Sequence, residues 1–214
     1  RSHIRVRLGS LEPRTITPEF CRRAAALTNL CPHFHLSMQS GCDTVLARMN
    51  RKYDSARYYE SVKLLNEAYE APGITTDLIV GFPGETEEEF QQTLAFIRRC
   101  AFSAMHIFPY SRRPGTPADG MPGQILNSVK EERAHRAQQA ALEMEAAYLD
   151  RWVGRTVPVL FEEERDGLWR GHTTRYSEVA APSGENLHNQ LRQVYIIGRA
   201  GNILQGELCE GQEK

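Results

Sequence analysis

The stretch at residues 74–90, ITTDLIVGFPGETEEEF, decides how this chain is read. An apolar run climbs to residue 80 and breaks into Gly81, Phe82, Pro83, Gly84 and Glu85. Thr86-Glu87-Glu88-Glu89 then has the form of a capping box, with Phe90, Leu94 and Ile97 as the apolar stripe of the helix behind it. Strand, glycine-rich corner and helix make up most of one βαβ unit.

Working outward, β-like runs recur at residues 4–8, 34–39 and 104–108, with helical segments between them. Thr17-Pro18 reads as an N-cap followed by proline at the first helical position, ahead of Phe20, Ala24 and Leu27 on one face. Asp43 is placed to cap a short helix carrying Leu46 and Met49. Tyr58, Val62, Leu65 and Tyr69 form the stripe of another. Strands returning every 30 to 40 residues, roughly, predict an α/β fold with a mostly parallel, helix-covered sheet. Four units fall short of the roughly 250 residues of a closed eight-fold barrel, so a half barrel is expected.

Residues 109–123, PYSRRPGTPADGMPG, hold too many prolines and glycines for a helix and read as a loop. Ser128-Val129-Lys130-Glu131 has capping-box form and opens a long helix with Ala134, Ala137, Ala141, Met144 and Tyr148 in a stripe. From residue 153 the texture changes. Five short runs separated by tight turns predict a small antiparallel barrel or sandwich, with the boundary near Trp152: residues 1–152, then 153–214.

Composition sets the limits. Of the 214 residues, 41% are hydrophobic and 25% charged, with a formal charge of -1, and no apolar run is long enough to span a membrane. No signal-like segment appears, and the opening alternation of Ile4, Val6 and Leu8 with Arg5 and Arg7 suggests a fragment of something longer. Cys21, Cys31, Cys42, Cys100 and Cys209 are odd in number and widely spaced, which encodes neither disulfide framework nor metal cage and fits a reduced, cytoplasmic setting. Residues 1–152 hold 19 basic against 18 acidic side chains and residues 153–214 hold 7 against 9, so RNA binding has to rest on local patches.

In a parallel α/β sheet ligands gather beyond the carboxyl ends of the strands. Those ends supply Ser10 and Glu12, Gln39 and Ser40, Gly81 to Glu85, and Tyr110 to Arg113. Gly81 and Gly84 would let backbone approach a ligand closely, although the same residues also serve a plain strand-to-helix turn. The spacing matches no phosphate-binding loop. His33 and His35 share a strand face with no carboxylate or thiolate set beside them in sequence, so no metal site is expected. Arg48, Arg51, Lys52 and Arg57 form the densest basic cluster, with Arg112 and Arg113 a second; either could meet phosphates or simply face solvent. No complete catalytic constellation is present.

Three stretches, HLSMQSGCDTVLARMNRKY (residues 35–53), ITTDLIVGFPGETEEEF and HIFPYSRRPGTPADGMP (residues 106–122), in this order, resemble the radical S-adenosylmethionine methylthiotransferases. The tail VGRTVPVLFEEERDGLWRGHTTRYSEVAAP resembles their closing TRAM domain, a small RNA-binding β-barrel. IRVRLGSLEP, CPHFHLSMQSGCD and MNRKY are most similar to the subgroup acting on threonylcarbamoyladenosine beside the tRNA anticodon, ahead of the isopentenyladenosine and ribosomal-aspartate subgroups. The resemblance implies S-adenosylmethionine and two [4Fe-4S] clusters as cofactors, tRNA as partner, and methylthiolation at carbon 2 of the adenine. It also implies cluster cysteines in a CxxxCxxC motif that this chain lacks, so the chain alone is expected to be inactive.

Carried onto these positions, the resemblance puts S-adenosylmethionine against Gly81, Gly84 and Glu85, with Ile79 and Val80 as an apolar wall, Gln39 and Ser40 toward its ribose or methionine, and Ser10 and Glu12 toward its amino group or the substrate. RNA contacts fall to Arg48, Arg51, Lys52, Arg112 and Arg113. On the barrel they fall to Arg155, Arg170, Arg175 and Arg192, interleaved with His172, Tyr176 and Trp169, although Trp169 could instead fill the barrel core. Two other readings stand beside this one. In one the chain is an RNA-binding module on an inert α/β scaffold; in the other it is a barrel-type metabolic enzyme using Glu12 or Glu85 as acid or base.

Overall fold

The computed structural model describes residues 4–209. Four parallel strands, β1 (Val6–Leu11), β2 (Leu30–Leu36), β3 (Gly73–Val80) and β4 (Ala104–Pro109), lie side by side in chain order. Helices α1 (Pro18–Ala25), α2 (Asp43–Arg48), α3 (Ser55–Ala68) and α4 (Glu87–Cys100) supply the crossovers. A fifth, α5 (Asn127–Asp150), follows β4 after a loop containing the short 3-10 turn Pro117–Gly120.

One sheet face packs under the helices. On β3, Ile74, Thr76, Leu78 and Val80 are buried toward them, and Phe34, Leu36, Tyr58, Phe90, Ile97 and Ala137 join the same core. Thr75, Asp77 and Ile79 point to the opposite, inner face, because successive strand side chains alternate. That face is where a ligand can reach the sheet.

The capping predictions divide. Thr17 accepts from the Phe20 amide, and Thr86 with Glu89 completes a reciprocal capping box. Asp43 does not cap: it is the first residue of α2, behind Cys42, and its carboxylate accepts from the Ser55 amide at the start of α3. Ser128 does not cap either, since α5 begins at Asn127 behind Leu126 with no side-chain cap bond. Leu27 lies past the end of α1 and is exposed.

Beyond α5 the strands β5 (Thr156–Arg165), β6 (Leu168–Thr173), β7 (Glu178–Ala181), β8 (Leu191–Ala200) and β9 (Ile203–Leu208) close into a barrel in the order β5-β6-β7-β9-β8. Four of its five pairings are antiparallel; β7 and β9 run parallel, which the reading of an antiparallel barrel did not anticipate. Val157, Val159, Phe161, Trp169, Val194 and Ile196 fill it. Tyr148, Leu149 and Trp152 extend this core back to α5.

Candidate functional site

The carboxyl ends of β2, β3 and β4 do converge, and the cavity they frame is not at the glycine corner. It holds about 500 Å³ and is lined by Gln39, Asp77, Ile79, Phe108, Tyr110 and Arg113, among others. Ile79 and Phe108 give apolar walls; Gln39, Asp77, Ser111 and Arg113 give polar contacts. The Gln39 backbone (φ 69°) continues the sheet edge, its amide donating to Asp77 O and its carbonyl accepting from the Ile79 amide. Tyr110 packs edge-on against Phe82, and its hydroxyl is buried without a hydrogen-bond partner among the described residues.

The corner itself is closed. Gly81 has φ +70°, and a Cβ there would stand 2.4 Å from Lys130 Cγ, so a valine would collide with the protein rather than with a ligand. The Gly81 amide donates to Glu85 Oε1 at 2.8 Å, and Arg133 donates from the same nitrogen to Glu85 O and Oε1, both at 2.9 Å. Glu85 is 3% exposed and Arg133 5%. Burial raises the Glu85 pKa against the opposing pull of the Gly81 amide and Arg133. Gly84 donates its amide to Gly123 O, and Lys130 Nζ donates to Tyr110 O at 3.0 Å. Backbone groups expected to greet a cofactor are thus held by α5 and its preceding loop. The corner shapes the cavity from behind, and Glu85 is no free acid or base.

The remaining expected residues scatter. Ser40 is 1% exposed and turns inward, its hydroxyl 3.3 Å from Thr93 Oγ1 and accepting from the Cys42 amide. Ser10 and Glu12 do meet Arg51, Lys52 and Tyr53, in a smaller cleft of about 260 Å³. Glu12 is forked onto Arg14 at 2.9 and 3.2 Å, and Lys52 donates to Asn50. Arg48 is claimed by Glu89 through bonds of 2.9 and 2.6 Å, and that pairing takes the Glu89 pKa down to about 2. Arg57 is anchored on Ile16 O and Ser61. Arg112 pairs with Asp119, whereas Arg113 stays exposed beside the cavity.

On the barrel His172, Arg175 and Tyr176 gather at the seam with the sheet, while Trp169 and the other expected arginines are engaged elsewhere. Trp169 is 7% exposed, inside the barrel. Arg170, Arg192 and Arg155 pair with Glu178, Glu185 and Glu70. Arg175 is a rivet: it donates to Ala71 O at 3.0 Å and Glu70 O at 2.8 Å and lies over the Trp152 ring. Burial lowers its pKa. Tyr176 is taken up by His172, stacked 4.5 Å away, and by Arg7, 3.5 Å from its centroid.

Sequence reading placed Ile79 at the ligand but paired it with Val80, which is buried under the helices, and it missed Asp77 and Phe108, because nothing local distinguishes the inner from the helix-covered face of a nearly all-buried strand. It also left the His33–His35 pair without a carboxylate, yet Asp77 Oδ2 comes within 3.3 Å of His35 Nε2. Among the described residues no three His, Cys, Asp or Glu side chains converge as metal ligands. Cys21, Cys31, Cys42 and Cys100 are buried, and burial pushes the Cys100 thiol up to about 12. These cysteines do not fit an iron-sulfur cluster. The rim cavity, with an apolar wall opposite polar groups and an orphaned phenol, does fit a nucleoside-sized ligand.

Comparison with known proteins supplies the lineage. Residues 2–97 match the radical SAM superfamily model. The chain belongs to the radical SAM superfamily. It is 35% identical over 90% of its length to the threonylcarbamoyladenosine tRNA methylthiotransferase of Bacillus subtilis, covering 44% of that protein. It is 43% identical over 84% of its length to the tRNA-2-methylthio-N(6)-dimethylallyladenosine synthase of Oleidesulfovibrio alaskensis, covering 39% of it. This radical SAM chain thus spans less than half the length of these curated relatives. Among solved structures, coproporphyrinogen III oxidase from Escherichia coli, itself a radical SAM enzyme, shares the fold: TM-score 0.53 at 18% identity, over 66% of this chain and 32% of that one. No helix among the described residues is long and apolar enough to cross a membrane.

Proposed function

We propose that this chain is the later half of a tRNA methylthiotransferase that modifies carbon 2 of threonylcarbamoyladenosine next to the anticodon, working in the cytoplasm. The observation that carries the reading is the rim cavity, framed by the ITTDLIV strand at the carboxyl edge of a parallel sheet, in a chain similar to such enzymes over nine-tenths of its length. On this reading residues 1–152 complete a radical SAM domain and residues 153–214 are its TRAM barrel. S-adenosylmethionine, once bound beside a reduced cluster, supplies the radical chemistry. The two cluster ligand sets come from outside this chain, so the chain by itself is inactive.

The chain's own residues bind and orient. Ile79 and Phe108 flank the adenine of S-adenosylmethionine, Gln39 and Ser111 meet its polar edges, and Arg113 stands where a carboxylate or phosphate would enter. Ser10, Glu12, Arg51 and Lys52, gathered in the neighbouring cleft, serve the substrate side. The threonylcarbamoyl substrate is supported by the MNRKY and IRVRLGSLEP stretches and by the Bacillus relative's name.

Titration of S-adenosylmethionine into the full-length, cluster-loaded protein tests the reading. Saturable binding, with at least a tenfold loss on Ile79→Asp, is expected, together with 2-methylthio product on tRNA seen by mass spectrometry. Salt-sensitive tRNA binding with no S-adenosylmethionine affinity would instead make the chain an RNA-binding scaffold.

A further inference from the structure

A line of polar side chains runs along the inner sheet face between two cavities. Thr75 Oγ1 on β3 lies 3.3 Å from His33 Nε2 and 3.0 Å from His35 Nδ1, both on β2, and His35 Nε2 lies 3.3 Å from Asp77 Oδ2. The pairing of His33 with Gly73 and His35 with Thr75 sets this stagger. Asp77 lines the rim cavity. At the other end, His33, His35 and Thr75 line a separate cavity of about 480 Å³ in the seam between sheet and barrel.

Counting hydrogens fixes the direction of the line. Asp77 Oδ2 stands at ion-pair distance from His35 Nε2 rather than in an aligned hydrogen bond, and because a carboxylate only accepts, this contact favours the His35 tautomer with hydrogen on Nε2 and a bare Nδ1. The single Thr75 hydrogen therefore points to that bare nitrogen. Thr75 oxygen is left to accept from His33 Nε2–H, which leaves His33 Nδ1 bare as well. That nitrogen is buried without a hydrogen-bond partner among the described residues, in a ring only 3% exposed. Burial, with Arg7 and His35 close by, lowers the His33 pKa to about 4, which keeps the ring neutral at pH 7 as the count requires.

We propose that His33, Thr75, His35 and Asp77 form a proton relay between the seam cavity and the rim cavity. A hydronium ion or an acid in the seam releases a proton, becoming water or its conjugate base, and a new N–H bond forms at His33 Nδ1, a buried atom that the donor reaches only when the cavity wall around the ring opens. The Nε2–H proton of His33 then passes to Thr75 Oγ1, the original Thr75 proton to His35 Nδ1, and the Nε2–H proton of His35 to Asp77. Each intermediate side chain gains one bond to hydrogen and loses one, both histidine rings end as Nδ1–H tautomers, and Asp77 ends as a neutral carboxylic acid. Run backwards, the line drains a proton from Asp77 to the seam. Arg7 on β1, His106 on β4, Glu145 on α5, and His172, Arg175, Tyr176 and Glu178 on the barrel are the other charged and titratable groups lining the seam cavity, and none of them stands between the members of the line. The relay depends on the rim cavity's position and not on which ligand occupies it.

Nitrogen NMR of the histidine rings in this chain at pH 7 tests the relay without cofactor or tRNA. His33 and His35 are both expected as Nε2–H tautomers. Asp77→Asn removes the charge that orients the line, so the His33 ring signals, two links away, are expected to shift along with those of His35. Thr75→Ser should preserve that transmission; in Thr75→Val the Asp77→Asn change should no longer reach His33. An Nδ1–H tautomer at His35 in the unmodified chain, or His33 signals indifferent to Asp77→Asn with Thr75 in place, overturns the relay. Should Thr75→Val fail to fold, the Asp77→Asn and Thr75→Ser spectra decide the matter by themselves.

Discussion

The two ends of β3 are near twins in sequence and are built differently. Glu70-Ala71-Pro72-Gly73 leads in and Gly81-Phe82-Pro83-Gly84-Glu85 leads out, each a turn marked by proline and glycine. At the entry, Arg175 from the barrel takes the carbonyls of Glu70 and Ala71, and the Arg175 carbonyl sits so close to Gly73 that a Cβ would stand 2.4 Å from it. At the exit, α5 inserts Lys130 against Gly81 and Arg133 into a full ion pair with Glu85. The entry joins neutral dipoles to one cation; the exit buries opposite charges. A glycine-rich turn therefore announces close approach without saying of what. The partner lies 48 residues on at one end and about a hundred at the other.

Breaking the exit is expected to cost most. Arg133→Met leaves Glu85 buried with its partner gone, which costs about 3–5 kcal/mol for such pairs. Urea or thermal unfolding of the variant measures it, and a loss under about 1 kcal/mol would put the entry and exit on the same footing. Arg175→Met comes next. It removes charge-assisted bonds worth about 1.5–3 kcal/mol and should loosen barrel from sheet before either unfolds, seen as proteolytic cutting around residues 151–155 while both cores persist.

The smallest effect belongs to the half-buried pair that joins the end of α2 to the first turn of α4. Arg48 holds the Glu89 pKa at about 2, below the ordinary value of 4.5. A depressed folded-state pKa stabilises the protein above the unfolded value, and that contribution disappears as pH falls from about 4.5 through about 2. Glu89→Gln should lower stability at pH 7 and flatten the acid-unfolding curve over that window, so that variant and parent converge below about pH 2. An unchanged slope would place the pair among those surface contacts that add nothing measurable.

Much of the architecture was legible because it is local. The Thr86 box, the Thr17-Pro18 start and the tight turns after residue 153 each signal through neighbours a few positions apart. Caps failed where a competing partner lay elsewhere: Asp43 is drawn to Ser55, and Ser128 finds its helix already begun. Site residues were legible only as a set of strand ends. Gln39 reached the cavity, and Ser10 with Glu12 reached a cleft, while Ser40 turned inward to Thr93. The partners of the basic residues were not legible, for one common reason. An arginine in sequence has no visible acid, and Arg48, Arg112, Arg170 and Arg175 each found an acceptor that only the folded chain brings near.

Helix α5 has 24 residues and so measures about 36 Å end to end. Its first turns grip Tyr110 and Glu85, and its last turn is embedded among the side chains that fill the barrel. The helix acts as a lever arm with one handle in each half. A load that twists the barrel arrives, undamped by any hinge along those 24 residues, at the wall of the pocket on the far side.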